Sequence, residues 1–200
     1  MKITNIVTLI SNGKFSNSVE YKKIESDVFN AIYSMKNPIG NGTFILNSGK
    51  HANGVKPIKN TFISYLDQHG WYDERKITDP DMKKRRIDTA HKIGQTNTYF
   101  GVEWETGNIS SSHRAINRLL LAIIEGKLLG GMLVLPSRKM YYHLTDRVGN
   151  FQELEPYFKL WSLFSNEISN GVLKIIEIEH DDISDDIAPL KKGTDGRALK

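Results

Sequence analysis

Apolar residues at Ile24, Val28, Phe29, Ile32 and Tyr33 recur at the spacing of one helical face, which predicts a helix between Val19 and Met35. Asn37-Pro38-Ile39-Gly40-Asn41-Gly42 then breaks the pattern with turn formers, and Thr43 to Leu46 reads as a short strand. Phe62, Ile63 and Leu66 share one side of a second predicted helix, Asn60 to Gln68, which His69-Gly70 ends. Thr98 to Glu105 (TYFGVEWE) is dense in aromatic and β-branched residues and reads as a strand. Ser110, Ser111 and Ser112 offer N-caps for a helix through Arg114, Leu120 and Ile124, with Gly126 as its stop. Gly131 to Leu135 (GMLVL) is short and wholly apolar, as a strand buried on both faces would be. Glu153 to Ser165 predicts a further amphipathic helix, with Pro156 tolerated in its first turn, and Val172 to Glu179 a last strand. Strands alternating with helices argue for an α/β fold, a sheet covered by helices on both faces.

No repeat, low-complexity tract or long Gly/Ser/Pro linker divides the chain, so residues 1–200 are expected to form a single domain. The charged, Gly-containing stretch from Lys191 to Lys200 is expected to be a C-terminal arm. A hydrophobic content of 39% suffices for a core, yet no apolar run approaches the roughly 20 residues of a membrane span. The N-terminus lacks the apolar stretch of a signal peptide, and cysteine is absent, which together point to the cytoplasm. The absence of cysteine also excludes disulfides, thiolate metal sites and Cys nucleophiles. Net charge is +4 with a pI near 9.1, a mild lean toward polyanions. The lean is concentrated in Lys83-Lys84-Arg85-Arg86, which a solvated loop explains equally well.

The chemistry is concentrated around the predicted strand Thr98 to Glu105. Residues two apart on a strand project from one face, so Glu103 and Glu105 should point together while Trp104 packs on the other side. Asp88 lies upstream of the same strand. Adjacent carboxylates repel unless something positive offsets them, and a divalent cation held by oxygens does so. Phosphodiester hydrolysis uses such a site. An edge strand with a solvated acidic face is the other reading of the same pattern. Two polar clusters bear on the choice. Asn108, Ser110 and Arg114 belong to a segment that opens a helix, and Asp146-Arg147 follows Thr145. Asn pairs with adenine edges, Arg with guanine and Asp with the cytosine amino group. A local Asp146–Arg147 ion pair and plain helix capping are the structural alternatives. His113, a helix residue beside the capping run, reads as structural. No Gly-rich phosphate loop and no Ser/His/Asp arrangement stands out.

Gly101-Val102-Glu103-Trp104-Glu105-Thr106-Gly107-Asn108-Ile109-Ser110-Ser111 with His113-Arg114 resembles the BamHI family of type II restriction endonucleases almost position for position. The resemblance extends to Asn53-Gly54-Val55 with Pro57-Ile58-Lys59, to Leu144 to Val148 (LTDRV), to Asn150-Phe151 with Glu153 to Phe158, and to Lys192-Gly193 with Asp195-Gly196. It implies the restriction-endonuclease fold, a central mixed sheet with helices on both sides. It also implies a homodimer around double-stranded DNA, paired with a cognate methyltransferase. The implied activity is Mg²⁺-dependent cleavage within the palindrome GGATCC, leaving 5′ overhangs.

By that resemblance Glu74, Asp88, Glu103 and Glu105 are the catalytic acids. Asp88 and Glu103 would hold one Mg²⁺, Glu74 a second, and Glu105 would position or deprotonate the attacking water. The base-reading set falls on Asn108, Ser110, Arg114, Asp146 and Arg147, with Lys59, Gly193 and Asp195 as further DNA contacts. The dimer would be held by the helices from Ser112 to Glu125 and from Glu153 to Phe164. Glu125 and Lys159 are its candidate ion pair, since BamHI carries the signs exchanged at these two positions. Two features depart from the pattern: Ile87 stands where a proline usually precedes the first aspartate, and the Glu74–Asp88 connection is unusually basic.

Overall fold

The computed structural model describes residues 1–74, 86–145 and 148–193. Asp146, Arg147 and Asp195 lie outside the described residues. The main sheet has six strands: β1 (Lys2–Asn12), β3 (Tyr72–Asp73), β4 (Thr89–Lys92), β5 (Tyr99–Trp104), β6 (Leu128–Pro136) and β7 (Gly171–Glu179). Their order is β1-β7-β6-β5-β4-β3. β5, β6 and β7 run parallel, while β1 at one side and β4 and β3 at the other pair antiparallel, so the sheet is mixed. β2 (Ile45–Asn47) is not part of it and pairs in parallel with β8 (Asp182–Ser184).

The central strands bury both faces, which is why they read as unbroken apolar runs. Along β6, Met132 and Val134 join one core and Leu133 and Leu135 the other. The first core lies under α1 (Val19–Tyr33) and α2 (Val55–Gln68), where Ile24, Val28, Phe62 and Leu66 meet Phe100, Val102 and Trp104 of β5. The second lies under α3 (Ile109–Ile124), whose Ile116, Leu119 and Leu120 pack with Leu133 and Leu173. Helices therefore cover both faces, as the alternation along the chain predicted. No helix among the described residues is long and apolar enough to cross a membrane.

Three of the differences from the sequence reading have a clear physical cause. α2 begins at Val55, not Asn60, because Pro57 occupies its first turn, where a missing N–H breaks no intrahelical bond. The helix expected over Glu153 to Ser165 is instead a relay. It consists of α4 (Phe151–Leu154), a 3₁₀ turn at Glu155–Tyr157, α5 (Phe158–Ser162) and a 3₁₀ turn at Leu163–Asn166. Pro156 sits inside this path and cannot donate to the preceding turn, so the backbone bonding tightens there. β1 carried no strand signal in the reading above. Its ladder with β7 shifts register twice, between Ile3 and Asn5 and between Thr8 and Ile10, which scrambles period-two alternation.

Candidate active site

Antiparallel pairing lines up the acids. Asp73 faces Thr89 across β3 and β4, and Thr89 faces Val102 across β4 and β5. One residue further along, the same register sets Glu74, Asp88 and Glu103 in a row at one end of three adjacent strands. Residues directly opposite one another in antiparallel strands project from the same face. Main-chain bonds hold the row: Glu74 N–H donates to the Asp88 carbonyl at 3.1 Å, and Trp104 N–H donates to Asp88 Oδ2 at 2.8 Å.

Each central acid carries a cation. Lys59 Nζ, from the first turns of α2, pairs with Asp88 Oδ1. Arg118 Nε, from α3, lies 2.6 Å from Glu103 Oε1. Lys59, expected as a DNA contact, thus sits inside the site. Arg118 was not singled out in the sequence, because an Arg mid-helix looks like any solvated helix residue. Only the packing of α3 on β5 brings it to Glu103.

Glu103 is 3% exposed, and burial first and the neighbouring Asp88 charge second push its pKa up to about 8. Arg118 and Lys59 pull the other way without restoring the ordinary carboxylate range. Burial outweighs the two cations at Glu103. Among the described residues no three His, Asp or Glu side chains gather into a metal cluster. Asp88 and Glu103 nonetheless fit a divalent cation, being two hard oxygen donors.

Glu105 follows Glu103 by two residues where β5 ends, and both are buried. β5 ends at Trp104, although Glu105 N–H still donates to Val134 O at 3.0 Å. The buried Glu105 carboxylate accepts from Gly107 N–H where the chain turns into α3. Burial raises its pKa and that backbone bond opposes the rise, with Asp88 adding a smaller upward push. Asp88 is therefore the carboxylate felt by both glutamates.

The first polar cluster opens α3 and is exposed. Asn108 is the N-cap, its Oδ1 accepting from Ser111 N–H at 3.2 Å, and Arg114 Nη2 donates to Ser111 Oγ at 2.8 Å. Capping uses the amide oxygen that a bidentate adenine contact also needs. The second cluster is flanked by fixed points: Thr145 N–H donates to Asn53 O at 2.7 Å, and Gly149 N–H donates to Gly107 O at 2.8 Å. The chain that carries Asp146-Arg147 thus departs from Asn53 and returns at Gly107, next to the first cluster. His113 packs edge-on against Tyr157, ring centroids 4.5 Å apart, as expected of a structural histidine. Gly193 closes the described part of the C-terminal segment, with nothing within 4 Å of where a Cβ would sit.

Glu125 caps the C-terminus of α3 and Lys159 is exposed on α5. These elements are joined by Trp161 Nε1, which donates to Asn117 Oδ1 at 2.9 Å.

The family model for restriction endonuclease BamHI matches residues 1–197. The chain is 44% identical over 201 aligned positions to the type II restriction enzyme OkrAI of Oceanobacter kriegii, covering all of both chains. It is 36% identical over 147 positions to the type II restriction enzyme BamHI of Bacillus amyloliquefaciens, covering 70% of this chain and 67% of that one. A crystal structure of restriction endonuclease BglII complexed with a DNA 16-mer matches with a TM-score of 0.59 at 11% identity. That match covers 92% of this chain and 78% of that one, and at such identity it speaks for the fold alone. With its mixed sheet, its row of acids and a family match over nearly its whole length, the chain belongs to the BamHI family of type II restriction endonucleases, site-specific deoxyribonucleases.

Proposed function

We propose that this single-domain enzyme acts in the cytoplasm as a homodimer that cleaves duplex DNA within GGATCC, leaving 5′ overhangs. Its host would protect its own sites with a methyltransferase. The observation that carries the catalytic reading is the Asp88–Glu103 pair, Glu103 buried and Asp88 partly so, mutually repelling and each paired with one cation. Asp88 and Glu103 would bind Mg²⁺, with Glu74 at the end of the row toward a second ion. Bound Mg²⁺ supplies charge neutralisation at the scissile phosphate and makes water a better nucleophile. Lys59 and Arg118 neutralise part of the carboxylate charge and would stand as two cations beside the phosphate when Mg²⁺ is bound to the acids. Glu105, with its raised pKa, would orient the attacking water or take its proton, while its bond to Gly107 fixes the carboxyl.

Asn108, Ser110, Arg114, Asp146 and Arg147 would read the bases, and their chemistry suits a half-site of two G·C pairs and one A·T pair. Gly193 and Asp195 would contact DNA from the arm. A palindrome calls for two copies of one surface. Leu121 (51% exposed), Leu160 (55%) and Leu163 (58%), with Ile124 and Tyr157, are exposed apolar residues on α3, α5 and the 3₁₀ turns that flank α5. An exposed apolar face of this kind, which a second copy of the chain would cover, supports the dimer reading.

Purified protein with Mg²⁺ should cut a plasmid of known sequence only at GGATCC, with ends that sequence as 5′ overhangs. An intact plasmid, or fragments without a shared site, would sink the proposal.

A further inference from the structure

Asn53-Gly54 recurs in the family resemblance, yet neither residue touches the row of acids. Asn53 is fully buried (0% exposed), and every one of its polar atoms is engaged. Its N–H and its Nδ2 both donate to the His143 carbonyl, each at 2.9 Å. Its carbonyl accepts from Thr145 N–H at 2.7 Å. Its Oδ1 accepts from Asn47 N–H and from Leu190 N–H, both at 3.3 Å, and Nδ2 also donates to Asn47 O at 2.9 Å. Gly54 continues the contact, its N–H donating to Leu190 O at 2.8 Å. A Cβ on Gly54 would lie 2.0 Å from the Lys191 carbonyl oxygen, so only glycine lets the C-terminal segment approach this closely. Three segments distant in sequence thus converge on one amide: β2, the chain entering Asp146-Arg147, and the root of the C-terminal arm.

We infer that Asn53 and Gly54 form a clasp that fixes the base-reading loop and the arm root as one unit, making Asn53 a positioning residue for sequence discrimination. The inference rests on the reading of Asp146 and Arg147 as base contacts. A buried side-chain amide with unmet bonds is costly, so the arrangement has one favourable state, with loop and arm both seated. His51 and His143 brace the same loop through Nδ1 contacts to Leu144 O (2.9 Å) and Ser48 O (2.8 Å). Thr145, which leads into the base-reading residues, and Leu190, at the root of the arm, are then held in a fixed relation to one another, which reading a particular sequence demands and gripping phosphates does not.

The test has two readouts on the full-length enzyme. Amide hydrogen exchange of the free protein is followed at Leu190, Thr145 and, as a core reference, Met132. In Asn53→Ala the acceptor of Leu190 is deleted while that of Thr145, a backbone carbonyl, remains. Protection should fall at least tenfold at both, with Met132 unchanged. Gly54→Ala, which intrudes only on the arm, should also loosen Thr145. The second readout is kcat/KM at whatever site the wild-type enzyme cuts, divided by kcat/KM at that site with one base pair changed. Both variants should lose at least tenfold in this ratio. Thr145 keeping its protection, or rates falling equally at both sites, overturns the inference. Because the cognate site is defined by the wild-type enzyme, an error in assigning GGATCC does not affect the result. If Asn53→Ala fails to fold, Gly54→Ala decides alone.

Discussion

The backbone N–H of Trp104 donates to Oδ2 of Asp88 at 2.8 Å, so the carboxylate that precedes β4 is fastened to β5 one residue beyond Glu103. The two acids are set side by side by main-chain geometry and not by the cations that accompany them.

Asp88→Ala and Glu103→Ala should each reduce single-turnover cleavage by on the order of 100-fold or more, a loss typical of removing a group that acts in the reaction. Specific binding should persist, and tighten slightly, because negative charge beside the phosphates is removed. Gel shifts with cognate duplex alongside circular dichroism check this. Loss of binding together with loss of fold would make the acids structural.

Stability should depend on pH through Glu103. Its folded pKa of about 8 stands above the ordinary value of 4.5, so between these limits the folded chain holds a proton that the unfolded chain has released. The contribution is fully present below pH 4.5 and is lost as pH rises through 8. His180, buried and lowered from 6.5 to about 4, opposes this trend below pH 6.5, and the amino terminus, lowered from 8.0 by burial, opposes it up to pH 8, so the difference between wild type and Glu103→Gln isolates the Glu103 contribution. In EDTA the melting temperature should fall from pH 7 to 8.5, and Glu103→Gln should flatten that slope. Mg²⁺ favours the ionised form, so its binding at pH 7 should release protons, measurable by calorimetry in buffers of different ionisation enthalpy.

Arg147→Ala should weaken binding to GGATCC duplex by about 1–3 kcal/mol and leave nonspecific binding nearly unchanged. Fluorescence anisotropy at matched salt distinguishes the cases. An equal loss on both duplexes would identify Arg147 as a phosphate contact.

Leu160→Asp should shift the protein toward monomer in sedimentation by placing a charge on the apolar face of α5. Lys159→Glu should weaken the dimer by roughly 1 kcal/mol if it faces Glu125 of the second copy, and adding Glu125→Lys should restore it. A double variant no better than the sum of its parts removes the pairing while leaving the Leu160 result to decide the interface.

The helices α1 and α3 and the strands β5, β6 and β7 were legible because each is built from local periodicity and buried on a face or on both. The candidate acids Asp88 and Glu103 were legible because carboxylates beside an apolar strand conflict with burial unless they serve a charge. The sequence by itself did not determine what partners those acids have. Arg118 reaches Glu103 only because α3 crosses β5, and Lys59 reaches Asp88 only because α2 begins early enough to present it. β1 was hidden by its two register shifts, and the relay from Phe151 to Asn166 by a backbone tightening that side-chain periodicity does not record. Nor did any local pattern mark Asn53, whose bonds run to residues 90 and 137 positions away. Periodicity reports which face of an element is buried. Which elements meet, and so which charges and amides face each other, depends on long-range pairing that only the folded chain fixes.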